Sequence, residues 1–187
     1  MAATLLVGCS TCTESKTLSN LRFLSETNIS SAVSSITLTN IFTDDFDIYK
    51  LVITAQAVSV ANGANVRFVN SSGVTVTNSS YDRAMYIGRA NAVASTTATE
   101  NSDKLQFFGG VYDPEGGNMI YYIFNPTNTS AFTLITSEGS STDGGNGRIY
   151  NQKGVLKEKS SITGINFVFN DDDVDVASIK CYGLRVD

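Results

Sequence analysis

The residues best placed to do chemistry are carboxylates. Asp44, Asp45 and Asp47 cluster in TDDFD, and Asp171, Asp172, Asp173 and Asp175 in DDDVD. Alternate carboxylates at Asp171, Asp173 and Asp175 are spaced as in a calcium loop, where they converge on one hard cation. The pattern then breaks. Val176 stands where the loop turn wants glycine, and Tyr182 where a bidentate glutamate would close the shell. The first cluster resembles the opening half of such a loop with no second half. Calcium takes about six to eight oxygens, and the sequence offers only carboxylates. Two acidic turns meeting at one end of the fold could share a cation. The plainer reading is that aspartate favours turns and solvated loop tips. The expectation is no resident metal and no cofactor, with Asp171, Asp173 and Asp175 as the weak candidates.

Other chemistries fall away faster. The chain contains no histidine, which removes Ser-His-Asp and Cys-His catalysis, the commonest general base and His-containing zinc sites. Cys9 and Cys12 have C-x-x-C spacing, but Cys181 is the only other thiol, and a zinc site needs four ligands. A redox pair would sit on a βα unit, and no such unit follows. Three cysteines do not make a disulfide framework, so a reducing site of synthesis is the simplest reading. Leu6-Val7-Gly8-Cys9 matches a lipidation box only superficially, since no Lys or Arg precedes it. Glycoside hydrolysis would need carboxylates in a cleft flanked by aromatic platforms. Tryptophan is absent. Tyr81, Tyr86, Tyr112, Tyr121, Tyr122 and Tyr150 could stack on sugar rings, although tyrosine is also the ordinary aromatic of β-sheets. The expectation is therefore a protein that is not an enzyme, with no catalytic residue.

The net charge of −5, with only 13 scattered Lys and Arg, excludes binding to nucleic acid through phosphate neutralisation. No apolar run is long enough to span a bilayer, so no membrane insertion is expected.

The elements that must position these residues read as strands. Ser, Thr and Asn supply 58 of the 187 residues; their side chains compete with helical backbone bonds and favour strands and turns. Ile36 to Ala55 reads as strand, acidic turn, strand, with Tyr49, Leu51 and Ile53 on one face. Short strands follow at Val66–Val69, Tyr81–Gly88, Leu105–Phe108 and Met119–Phe124, then at Ile162–Phe169 and from Ala177 to the C-terminus. Met119–Phe124 is apolar on both faces, which predicts a central strand with a second layer over its outer side. Residues 90–103 read as a polar loop, and residues 138–147 as the most flexible-looking stretch. The expected architecture is all-β: an antiparallel β-sandwich, jelly-roll-like, spanning residues 35–187. Residues 1–34 read either as an N-terminal arm that docks on a partner or as an edge strand of the same sandwich.

SSITLTNIFTDDFDIYKLVITA, VRFVNSSG, ITGINFVFN and VASIKCYGLRV, in that order, resemble a family of small β-sandwich modules found in virions of tailed bacteriophages of the marine and cyanophage type. The outline is carried by Asp47, Tyr49, Lys50, Ser71, Ser72 and Gly73, and by Ala177, Ser178, Lys180, Tyr182, Gly183 and Leu184. It covers residues 30–187. The resemblance implies a non-enzymatic virion structural protein, a tail fibre or tail-associated module in assembly or host attachment. A capsid decoration protein is one alternative, and a carbohydrate-binding or carbohydrate-active sandwich another. It further implies assembly in the bacterial host cytoplasm into the virion, other virion proteins as partners, a homo-oligomer such as a trimer, and a host surface glycan as a possible target. The matched residues are expected to be fold determinants rather than binding residues.

Overall fold

The computed structural model describes residues 20–57, 64–107, 116–143, 145–169 and 173–185. Among them there are twelve strands and no helix. In chain order the strands are β1 (Leu21–Ile29), β2 (Ser35–Leu38), β3 (Ile48–Ala57), β4 (Ala64–Asn70), β5 (Tyr81–Arg89) and β6 (Ala92–Ser102). They continue with β7 (Leu105–Phe107), β8 (Gly117–Phe124), β9 (Thr133–Asp143), β10 (Asn146–Leu156), β11 (Ile162–Phe169) and β12 (Val174–Leu184).

Two antiparallel sheets pack face to face. One has eight strands in the order β1-β12-β3-β8-β9-β10-β5-β6, and the other has four in the order β2-β11-β4-β7. The pairings are nested: β1 with β12, β2 with β11, β3 with β8 and β4 with β7. That is one long ribbon of paired strands. Rolling it brings β3 beside β12 and β4 beside β11. The result is a jelly roll of two Greek keys. The remaining four strands are two hairpins inserted into it. β5–β6 lies between β4 and β7, and β9–β10 between β8 and β11. They pair with each other through β10 and β5, and extend the larger sheet past β8 as a wing.

Period-two alternation places the core. Tyr49 and Leu51 on β3, Tyr121 and Ile123 on β8, Ile179 and Cys181 on β12, and Ile165 and Phe167 on β11 are all buried. These segments read as strands in the sequence because every second residue is apolar and faces the opposite sheet.

Several expectations change. The two strands read within residues 36–55 are present as β2 and β3, but they lie in different sheets and the acidic stretch crosses between them. Phe42 and Phe46 inside that crossing are buried, anchoring it across the core. Residues 90–103 hold β6, an exposed edge strand, and residues 138–147 are the ends and tip of the β9–β10 hairpin. No second layer among the described residues covers β8: its outer residues Ile120, Tyr122 and Phe124 are half-buried. Leu21–Ile29 lies within the stretch read as arm or edge strand. It pairs along β12 as an edge strand of the larger sheet, and Leu24 and Ile29 pack against the core. Residues 1–19 lie outside the described residues.

Candidate interaction face

Binding residues fall disproportionately on segments held out by a rigid scaffold, and the eight-strand roll closes without the two inserted hairpins. The two stretches that the sequence singles out as loops come together here. The Ala90 amide at the tip of the β5–β6 hairpin donates to the Gly147 carbonyl beside the tip of β9–β10, at 3.0 Å. β5 and β10 are in register from Tyr81 opposite Leu156 to Arg89 opposite Arg148, so the tips are held by a continuous ladder. On the outer face Ile149 lies over Gly88, its register partner; a Cβ on Gly88 would stand 2.6 Å from Ile149 Cγ1. Tyr86 and Ile149 are 44% and 58% exposed and border an open hollow of about 710 Å³ at the wing tip, together with Gly88, Arg89, Ala90, Ser140 and Arg148. An aromatic ring and an aliphatic side chain beside hydroxyls and small residues are suited to contact with a surface rather than to bond-making chemistry.

A second exposed feature runs along the outer face of the larger sheet. Leu21, Leu184, Ile48, Phe124, Leu134 and Val155 stand side by side on six successive strands. In the next row Phe23 meets Tyr182 edge-on at 5.6 Å, and the Lys50 ammonium lies 5.7 Å from the Tyr122 ring centre.

The sequence candidates fall as follows. Asp173 is exposed at the entry to β12, and Asp175 lies on β12 with one carboxylate oxygen buried and unbonded. Asp171 and Asp172 are outside the described residues. Asp44, Asp45 and Asp47 are exposed in the crossing before β3, where the Thr43 hydroxyl donates to Asp45 Oδ2 at 3.0 Å. The first cluster does not meet Asp173 and Asp175 of the second. The first adjoins Ile48 at the start of β3, and Val174 beside the second pairs with Ala57 at its end. A ten-residue strand separates them by roughly 30 Å. Among the described residues no three His, Cys, Asp or Glu side chains are grouped to hold a metal. Cys181 is buried and its thiol is pushed up to about 12 by burial, which leaves it inert. Cys9, Cys12 and Tyr112 lie outside the described residues.

Of the tyrosines that could serve as sugar platforms, Tyr81, Tyr121 and Tyr150 are buried, and burial raises the first two phenols well above their ordinary pKa. The Tyr81 hydroxyl serves the fold instead, donating to the Val76 carbonyl at 3.1 Å and accepting from the Phe68 amide at 3.0 Å. It thereby pins the crossing from β4 to β5. Tyr49 does the same for the β2–β3 crossing, donating to the Thr43 carbonyl at 2.8 Å and accepting from the Thr43 amide at 2.7 Å. Among the described residues Tyr86 is left as the one tyrosine of that group exposed at the wing. Ile149, which with Tyr86 flanks Gly88, is not singled out in the sequence; one apolar residue beside a Gly-rich stretch is a weak signal.

Of the residues quoted for the family resemblance, Tyr49, Gly73 and Gly183 shape turns and crossings, whereas Asp47, Ser71 and Ser72 are exposed. Gly73 takes φ +76° in a turn closed by its amide on the Asn70 carbonyl at 2.9 Å, a conformation glycine adopts without strain. Gly183 gives room to Phe46. No helix among the described residues is long and apolar enough to cross a membrane. The chain matches no protein-family model, no curated protein and no solved structure.

Proposed function

We propose that this protein is a non-enzymatic structural module of a tailed-bacteriophage virion, carried on the particle exterior, with the wing as its contact surface for host attachment or assembly. The observation that carries the reading is the pair of hairpins added to a complete jelly roll and joined at their tips, Ala90 to Gly147. They present Tyr86 and Ile149 to solvent at the wing tip. Support also comes from the outline shared with phage modules, whose matched Tyr49, Gly73 and Gly183 all shape turns and crossings. Jelly rolls serve in capsid and lectin domains, and a fold alone does not fix a function. On this reading the partners are other virion proteins, further copies of the chain in a homo-oligomer, and a host surface glycan. The protein is assembled in the host cytoplasm and resides in the virion.

The capsid-decoration alternative draws on a different observation. The apolar outer row from Leu21 to Val155 is suited to seating on a larger protein lattice. One experiment separates the two. Purified protein is added to host cells before infection. Wing-mediated attachment predicts competition with phage adsorption, lost in the Tyr86→Ala/Ile149→Ser variant and kept in a Leu134→Ser variant. Absence of competition by the folded wild-type protein overturns the attachment reading.

A further inference from the structure

Among the described residues four strands end the two sheets: β1 and β6 in the larger, β2 and β7 in the smaller. An edge strand presents unpaired N–H and C=O groups to any other strand, and folded proteins blunt such edges by short length, charge or bulges. Three of the four are blunted. β2 has four residues and β7 three. β1 carries Arg22 and Glu26. β6 differs. It runs eleven residues, AVASTTATENS, with no Lys, Arg or Pro and a single charge at Glu100. Its register with β5 shifts near the two ends and is regular from Ser95 to Thr99. Val93 on it is 88% exposed. The β-branched Thr96, Thr97 and Thr99 favour extended backbone.

We propose that the free edge of β6 pairs antiparallel with β6 of a second copy of this chain, about a two-fold axis at Thr97. The strand is complementary to itself. Centred on Thr97, the pairing sets Ser95 against Thr99, Thr96 against Ala98 and Ala94 against Glu100. The one charge in the strand therefore meets a small neutral residue and not its own copy. Hydroxyl-bearing and β-branched pairs directly opposite one another are favourable across antiparallel strands, and like charges there are not. A two-fold contact uses the same patch on both chains, so every copy brings the small, uncharged run that the edge requires. The axis stands normal to the sheet, inner and outer faces are preserved, and the larger sheet continues into that of the second copy. Two wings then lie side by side. The inference rests on the strand edges alone and stands or falls apart from the virion reading.

The test is the solution mass of the full-length chain by sedimentation velocity from low micromolar concentration upward. It is run for the wild type, for Thr97→Lys, which places a charge at the centre of the edge, and for Thr97→Val, which keeps the strand preference. Wild type and Thr97→Val are expected at the mass of two chains, and Thr97→Lys at that of one. Amide hydrogen exchange on the wild type reads the same contact without a variant: amides of residues 94–100 should slow as concentration rises. A single-chain or three-chain mass for the wild type overturns the proposal, as does a Thr97→Lys protein that keeps the wild-type mass. If Thr97→Lys does not fold, exchange in β6 that is independent of concentration overturns it on its own.

Discussion

The Cβ position of Gly183 is occupied by the ring of Phe46: a methyl group there would stand 2.5 Å from Phe46 Cγ and Cδ2. Gly183 on β12 pairs in register with Tyr49 on β3, and the Phe46 ring meets the Tyr49 ring edge-on at 5.8 Å. The crossing between the two sheets therefore closes against a missing side chain. Gly183→Ala should destabilise the fold by about 1–3 kcal/mol, the usual result of overpacking a filled site. For a domain of this size that is a fall in melting temperature of about 2–4 °C per kcal/mol. Thermal unfolding checks it. Combining Gly183→Ala with Phe46→Ala should cost less than the sum of the two, because they share one contact.

The two pinning tyrosines should differ in value. Tyr81→Phe strands a buried amide of Phe68 and a carbonyl of Val76, at about 1–3 kcal/mol. Tyr49→Phe releases groups of Thr43, which is exposed, so water replaces the lost partner and the cost stays nearer the net value of about 1 kcal/mol. Urea unfolding midpoints should rank wild type above Tyr49→Phe, and Tyr49→Phe above Tyr81→Phe. The reverse order of the variants would mean that the crossings are held by packing instead.

How much of this was legible in the sequence depended on burial. Ile36, Leu38, Tyr49, Leu51, Ile165 and Phe167 alternate because one face of their strands meets the opposite sheet. β6 carries no such pattern, since almost all of it is exposed, and its Thr and Ala read as a loop. β9 turns Ser137, Gly139 and Ser141 inward, so small polar residues hide a strand that apolar ones would have announced. The crossing at residues 39–47 read as an acidic turn because three aspartates dominate it. The contrary signal was Phe42 and Phe46, two aromatic residues that a solvated turn has no use for. Tyr81–Gly88 reads as a strand, but its assembly into the wing could not be read, because that depends on pairing β5 with β10, far apart in the chain.

Acid should loosen the underside of the wing. The hydrogen bond from Arg67 holds the Asp103 carboxyl below the usual carboxylate range, and Lys157, together with the Asn101 amide, does the same for Asp82. With folded values below the unfolded ones, the stability these groups contribute is complete above about pH 4. It is lost as pH falls through their lowered folded values. Melting temperature should decline on acidification below that point, and Arg67→Met should flatten part of the decline. An unchanged slope in Arg67→Met would remove the pair from the account.

Metal removal should do nothing. With the acidic turns at opposite ends of β3, a chelator is expected to leave the melting temperature unchanged, and added calcium should not raise it. A shift of several degrees in either titration would point to a cation held by Asp173 and Asp175 with groups outside the described residues.

The central claim is that this jelly roll rides on a phage particle with its wing turned outward. Electron cryomicroscopy of virions carrying the chain, with an antibody fragment raised to the β5–β6 and β9–β10 hairpin tips, tests it most directly. The account predicts fragment density on the exterior, bound at the wing on intact particles. Particles that lack the chain, or that contain it with the wing tips buried and unlabelled, would contradict it.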